Sequence, residues 1–180
     1  MTELRVGDGA IEYGGLRVCL MDVPGGFLVL RRSMERALGD VAASLLYNAG
    51  FASYEAFSAD DSGAEVPTGE AAFRAGVAAY RRAGFGGFRV VEVDLGRGRA
   101  LVECDEPAAF EAYGVLRRGD GEQRAVCDYT RGALAGLFTA ATGRADRLCL
   151  ETECRAKGDA RCRFEVGEER ALTAKALRER

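Results

Sequence analysis

Glu151-Thr-Glu-Cys154-Arg-Ala-Lys-Gly158-Asp-Ala-Arg-Cys162-Arg-Phe-Glu-Val166 reads as two strands folded back on a turn. Leu148 and Leu150 alternate before it, Phe164 and Val166 close it, and Lys157-Gly158-Asp159 supplies turn chemistry between the two runs. A β-hairpin centred on Gly158 sets Cys154 and Cys162 roughly opposite each other, with Cβ atoms about 4.5–5.5 Å apart on one face. Zinc takes about four ligands at roughly 2.0–2.3 Å from Cys, His or carboxylate, and the chain has no histidine. The other ligands must then be cysteine or carboxylate. Glu151 lies three residues before Cys154, and Cys127 falls near the start of the preceding helix, where helix dipole and metal both favour a thiolate. The expected set is Cys127, Glu151, Cys154 and Cys162. On a regular strand Glu151 and Cys154 face opposite ways, so a bulge or the strand end must intervene, and Glu153 stands as a substitute for Glu151.

Three thiolates and one carboxylate around a dication leave a formal charge of about −2, which an interior tolerates only when compensated. Arg155, Lys157, Arg161 and Arg163 are the expected compensators. With every coordination position filled by protein, the zinc is structural rather than catalytic. Two other readings compete: a disulfide across the hairpin, or buried cysteines serving as small hydrophobes.

These residues resemble the 4-vinyl-reductase domain family, which includes sensory domains of aromatic-responsive bacterial regulators and is related in fold to small subunits of TRAPP transport complexes. The resemblance is carried by Cys127, the run Glu151-Thr-Glu-Cys-Arg-Ala-Lys-Gly158 and Cys162-Arg-Phe164, and extends upstream through Gly14-Gly-Leu-Arg-Val18, a long first helix, and Gly132 and Gly136. It implies an α/β (α+β) fold, an antiparallel sheet of hairpins flanked by helices, with zinc at the four positions and Glu151 as the carboxylate. It also implies an apolar ligand pocket and allows a homodimer.

Composition bounds the alternatives. The chain has 180 residues, of which 48% are hydrophobic, enough for one domain spanning 1–180 with a normal core. A net charge of −3 and a pI near 5.2 argue against direct nucleic-acid binding. The N-terminus lacks an apolar signal-peptide core, and the longest apolar stretch, Gly132 to Gly143, is too short and glycine-rich to span a bilayer. A cytoplasmic location is expected, in which six cysteines act as thiols or metal ligands rather than disulfides. The absence of histidine and tryptophan removes Ser-His-Asp and Cys-His catalysis and the commonest general acid-base group.

Along the chain, Ala10–Tyr13 and Leu16–Val23 predict an N-terminal hairpin within residues 1–23. From Phe27 the apolar period turns helical, with Leu30, Met34, Leu38, Val41 and Leu45 on one face of a single helix to about Asn48, capped by Gly50. That stripe is expected to face the core or to form a dimer seam. Residues 52–67 read as a loop. Thr68 caps a second helix bearing Phe73, Val77 and Tyr80. Gly84-Phe-Gly-Gly-Phe88 lacks the Lys and Ser/Thr of a phosphate loop and reads as a helix-to-strand turn. Phe88–Leu95 and Arg99–Cys104 form a further hairpin, apolar on both faces, which implies cover on both sides. Asp105-Glu-Pro107 begins a short helix through Tyr113, and a polar loop, Arg117 to Gln123, follows it. A helix over Arg124–Thr142 carries Cys127, Leu134, Phe138 and Ala141 along one side. Its Gly132 and Gly136 each cost roughly 1 kcal/mol relative to Ala, which calls for a close neighbour such as a strand, a partner subunit or a ligand. Residues 168–180 read as a charged helical tail. In regulators of the resembling family such a helix leads into an effector domain; here the chain is expected to be a stand-alone module, signalling through a separate effector protein or a homodimer.

The function expected is binding of a small hydrophobic or aromatic molecule in an apolar pocket. Tyr80, Phe88, Cys104, Phe110, Leu134, Phe138 and Cys149 are candidate lining residues, with Arg131 as a polar contact. Phenol-responsive relatives orient the hydroxyl with groups that include histidine and tryptophan. Without either residue the chain is not expected to bind phenol in that way, and a larger hydrophobic or tetrapyrrole-like molecule suits it as well. A second reading, implied by the family name, is a tetrapyrrole carrier or accessory protein. Neither a dinucleotide fingerprint nor a flavin motif supplies the hydride for a reductase. A third is a dimeric interaction scaffold.

Overall fold

The computed structural model describes residues 4–7, 9–13, 16–53, 68–119, 122 and 124–178. Strands β1 (Leu4–Gly7), β2 (Ala10–Tyr13) and β3 (Leu16–Val18) form a small antiparallel sheet in that order. The expected two-stranded hairpin thus gains a strand, and its second arm ends at Val18 rather than Val23. A π-helical segment, Val23–Phe27, leads into α1 (Leu28–Leu38) and α2 (Val41–Ala52).

The single long first helix of the sequence reading is broken. Gly39 takes φ 58°, a left-handed conformation open to glycine at little cost, and it ends α1. The apolar stripe does not face the core either: Leu30, Leu38, Val41 and Leu45 are 51%, 45%, 57% and 43% exposed. Leu28, Arg31, Ala42 and Leu46 are the buried positions. Gly50 lies inside α2 rather than capping it. The predicted 52–67 loop falls, from residue 54, outside the described residues.

Helix α3 (Gly69–Arg82) buries Phe73, Val77 and Tyr80 as its period requires. The Gly84–Gly87 turn then leads into the main sheet, strands β4 (Phe88–Asp94), β5 (Arg99–Cys104), β6 (Arg147–Glu153) and β7 (Cys162–Glu168), all antiparallel in the order β4-β5-β7-β6. A bulge between Val90 and Glu92 shifts the side-chain alternation of β4, so that Val90 and Val93 both pack on the core while Val91 is exposed. The apolar pattern read as double cover is this register shift.

Helix α4 runs Phe110–Arg118, later at both ends than expected. Gly87 N–H donates to the Pro107 carbonyl (2.6 Å) and Phe110 N–H to that of Phe85 (2.8 Å). Residues 105–109 are thereby held against the glycine turn, out of a helix. Helix α5 (Asp128–Thr142) starts after its expected Arg124, with Cys127 as N-cap. It packs with α3 on the core face of the sheet, and α2 crosses its outer side. The close neighbour that Gly132 calls for is α2: a Cβ at Gly132 would lie 1.9 Å from the Tyr47 carbonyl oxygen. The tail forms α6 (Glu169–Arg178). It rests on the opposite face of the sheet through Leu172 against Gly167 and a Lys175–Glu165 ion pair. Among the described residues, no helix is long and apolar enough to cross a membrane.

Candidate metal centre

Three segments converge at the tip of the β6–β7 hairpin. Strand β6 brings Glu151, its end brings Cys154, β7 opens with Cys162, and the N-cap of α5 is Cys127. Their ligand atoms, three sulfurs and one carboxylate oxygen, all lie within 4.8 Å of one another. The parity problem is solved by a bulge. Glu151 pairs with Phe164 and Glu153 with Arg163, so Thr152 is the extra residue and Glu151 turns to the side of Cys154. Glu153 instead joins an outer ion-pair network with Arg161 (3.8 Å) and Arg163 (3.5 Å).

The hairpin tip is held by its own backbone. Arg155–Lys157 is a turn of 3-10 helix closed by Gly158 at φ 100°. The Cys154 carbonyl accepts from Lys157 N–H (2.9 Å) and Asp159 N–H (3.3 Å), while Cys154 N–H donates to Asp159 Oδ2 (2.7 Å). Arg155 N–H points at Cys162 Sγ (3.4 Å), and Cys127 N–H donates to Glu151 Oε2 (3.0 Å).

The donors suit a tetrahedral cation. Cys127 Sγ and Cys162 Sγ are 4.0 Å apart, close to the roughly 3.8 Å between two sulfurs on one zinc at about 2.3 Å each, and far from the bond of about 2.05 Å of a disulfide. Glu151 Oε1 is buried without a hydrogen-bond partner, a costly arrangement for a carboxylate oxygen unless an ion meets it. Burial, then hydrogen bonding to Cys154 and Cys162, pushes the Cys127 thiol well up. Burial, then the charge of Cys154, pushes Glu151 well up. Hydrogen bonds from Cys127 and Cys162 draw Cys154 far down. Left to itself the cluster concentrates its negative charge on one thiolate; a dication is what makes four anionic donors compatible.

The expected compensators act elsewhere. Arg161 pairs with Glu103 (3.0 Å), Arg163 with Glu153 (3.5 Å), Lys157 with Asp159 (3.6 Å) and Arg155 with Glu106. They tie the hairpin tip to β5 and the Asp105–Pro107 segment. What reaches Cys162 is a backbone N–H, that of Arg155.

The segment that matches a known family contains this centre. Residues 108–168 match the vinyl-4-reductase (V-4-R) domain. The vinyl-4-reductase segment runs from the approach to α4 through β7, and so includes Cys127, Glu151, Cys154 and Cys162. No curated protein matches the chain. Among solved structures, the phenol-responsive sensory domain of the transcription activator PoxR, crystallised with phenol, superposes with a TM-score of 0.76 at 21% identity, covering 92% of this chain and 84% of that one. A vinyl-4-reductase family protein from Methanocaldococcus jannaschii matches with a TM-score of 0.49 at 18% identity, covering 79% of this chain and 76% of that one. The first likeness establishes an α+β fold of the PoxR sensory-domain type.

The candidate ligand residues fall into two groups around the core of this vinyl-4-reductase fold. Tyr80, Phe88 and Phe110 join an aromatic cluster with Phe85 and Tyr129: Tyr80 stacks on Phe85 at 4.1 Å between centroids, and Phe110 meets Phe85 edge-on at 5.2 Å. Leu134 and Phe138 lie in the same buried core, with Phe138 edge-on to Phe73 at 5.1 Å. Cys104 sits across the sheet from Cys162. Arg131 and Cys149 belong to the other side of α5, where Arg131 bonds Asp128 (2.5 Å) and covers the Tyr47 ring (5.6 Å). None of the eight lines the cleft of about 530 Å³ between α6 and the outer sheet face, which is bordered by Arg99, Glu165, Leu172 and Lys175.

Sequence reasoning missed three buried ionic groups beside the centre. Arg31 of α1 is 3% exposed, Glu111 of α4 1% and Asp128 of α5 3%. Arg31 donates to the Val126 carbonyl, and to Asp128 Oδ2 at 3.1 Å. Glu111 accepts from Tyr129 N–H (3.0 Å) and Thr130 N–H (2.9 Å).

Proposed function

We propose that this chain is a small-molecule-binding sensory domain in which a structural zinc ion, held by Cys127, Glu151, Cys154 and Cys162, fixes the β6–β7 hairpin against the start of α5. The observation that carries the reading is the convergence of four donors from separate elements within 4.8 Å, one of them a buried oxygen with no other partner. Zinc supplies a positive centre that stabilises four anions and cross-links the elements carrying them. The protein's part is to fill every coordination position, so the ion holds the fold and performs no reaction.

The ligand is a small hydrophobic or aromatic molecule taken into the core lined by Tyr80, Phe88, Phe110, Leu134 and Phe138, with Cys104, Cys149 and Arg131 at its margins. This reading draws on the PoxR domain, whose structure contains phenol, and on the ring-rich core between α3, α5 and the sheet. Because those rings already touch, the ligand must displace side chains to enter. The thiols of Cys104 and Cys149, neither in a disulfide, suit a reducing cytoplasm. The exposed stripe of α1 and α2 suits a homodimer, and the output passes through that dimer or to a separate effector protein.

The test is elemental analysis of protein purified without added metal, beside Cys154→Ser. About one zinc per chain, lost in the variant, is the expected result; metal-free protein with reduced thiols overturns the zinc reading. A thermal-shift series with simple phenols, larger apolar aromatics and a porphyrin then tests the ligand class. No shift with any of them overturns the sensory reading.

A further inference from the structure

An N-cap side chain ordinarily accepts a hydrogen bond from the N–H of N2 or N3, two of the donors a helix start leaves unsatisfied. At α5 the N-cap is Cys127, and its side chain makes no capping bond; the sulfur is turned into the metal cluster instead. The N2 and N3 donors are Tyr129 and Thr130. Both are satisfied by the carboxylate of Glu111, 18 and 19 residues upstream on α4, at 3.0 and 2.9 Å. The remaining nearby donor, Cys127 N–H, is taken by Glu151 Oε2 at 3.0 Å.

The flanking residues are pinned from another direction. Arg31 on α1 donates to the carbonyl of Val126, the residue before Cys127, and to the carboxylate of Asp128, the residue after it. Glu35 holds the Arg31 Nε at 3.0 Å, and Arg131 holds the other Asp128 oxygen at 2.5 Å. Burying an arginine and two carboxylates this deeply is costly unless each is paired, and here each is spent on the backbone or side chains of residues 126–130.

We infer that Glu111 is a cap supplied from another helix, relieving Cys127 of its capping role so that its sulfur is free to ligate, and that Arg31 is the opposing strut that fixes the cysteine's backbone. Both are positioning residues. The inference rests on the metal reading given above, but its capping half does not require the metal. Partners of this kind, touching a ligand's neighbours rather than the ion, typically change metal affinity by about 10–100-fold when removed.

The experiment has two arms. In the first, zinc affinity is measured by competition with a chromophoric chelator for the wild type, Glu111→Gln and Arg31→Lys. Gln retains one acceptor oxygen and Lys retains charge without the fork, so both variants are expected to fold and to bind zinc about 10-fold or more weakly. A merely structural role would lower melting temperature and leave affinity unchanged, which overturns the positioning claim. The second arm uses chelator-treated protein and the cycle of Glu111→Ala with Cys127→Ser. Serine at the N-cap can take the freed N–H groups itself, so Glu111→Ala is expected to lower the melting temperature less in the Cys127→Ser background than in the wild type. Equal losses in both backgrounds overturn the capping claim. A wild type that binds no zinc refutes the metal reading alone, and the second arm still decides the cap.

Discussion

Gly50 and Gly132 interlock where α2 crosses α5. A Cβ on Gly50 would lie 1.9 Å from the Tyr129 carbonyl oxygen, and one on Gly132 would lie 1.9 Å from that of Tyr47. Neither contact is with the end of a flexible side chain, so an added methyl must separate two helix backbones. Gly132→Ala improves helix propensity by about 1 kcal/mol, yet overpacking at a backbone contact costs about 3 kcal/mol or more. Net destabilisation is expected, visible as a fall of several degrees in melting temperature and an earlier urea midpoint. An unchanged midpoint would show that α2 is not seated on α5.

Glu151 and Glu153 separate the roles of the two glutamates. Glu151→Gln removes a donor from the cluster, whereas Glu153→Gln removes only partly exposed contacts to Arg161 and Arg163. Zinc content and melting temperature should fall with the first and stay near wild type with the second, since exposed pairs contribute about 0–1 kcal/mol. Chelation of the wild type should reproduce the loss. Equal behaviour of the two variants would refute the assignment of Glu151.

The metal hairpin was legible because strand alternation, turn chemistry and cysteine spacing all point one way between Leu148 and Val166. The bulge at Thr152 was legible only as a requirement, imposed by the parity of Glu151 and Cys154. The bulge in β4 was not legible: Val90, Val91 and Val93 are chemically alike, and only packing decides which is extruded. Arg31 and Glu35 occupy i,i+4 positions, which in sequence read as a solvated ion pair. That both Arg31 and Glu111 serve the start of α5 depends on contacts between residues far apart in the chain. The split at Gly39 had a local signal in Gly39-Asp40, outweighed by an apolar period that runs through it.

Glu111 sets a pH dependence. Burial raises its carboxyl from about 4.5 to about 7, although the Thr130 N–H and Arg31 oppose the shift. The folded state therefore keeps a proton that the unfolded chain releases, so this contribution is fully present below about pH 4.5, is lost as pH rises to about 7, and is constant above. The full shift corresponds to about 3 kcal/mol as an order of magnitude. Urea unfolding of chelator-treated wild type and Glu111→Gln between pH 5 and 8 isolates the effect. The stability of the wild type relative to the variant should decline with rising pH, and a flat difference would refute the raised value.

Leu30, Leu38, Val41 and Leu45 form the last prediction, because they follow a helical period and yet remain about half exposed. Single exposed leucines are ordinary, but a periodic row on two successive helices is the pattern of a covered face. Arg31, Ala42 and Leu46 show that the other side of these helices already meets the core, so the row is not a mispacked interior surface. If a second copy covers the row, a charge on it removes association without touching the fold. Val41→Glu is the preferred change, since Val41 is the most exposed of the four and stands at the first position of α2, where an acid suits the helix dipole. Light scattering should give a dimer for the wild type and a monomer for Val41→Glu, with the melting temperature of the metal-loaded monomer lowered only by the loss of association. A wild type that is monomeric at high concentration, or a variant that remains dimeric, would refute this face as the seam.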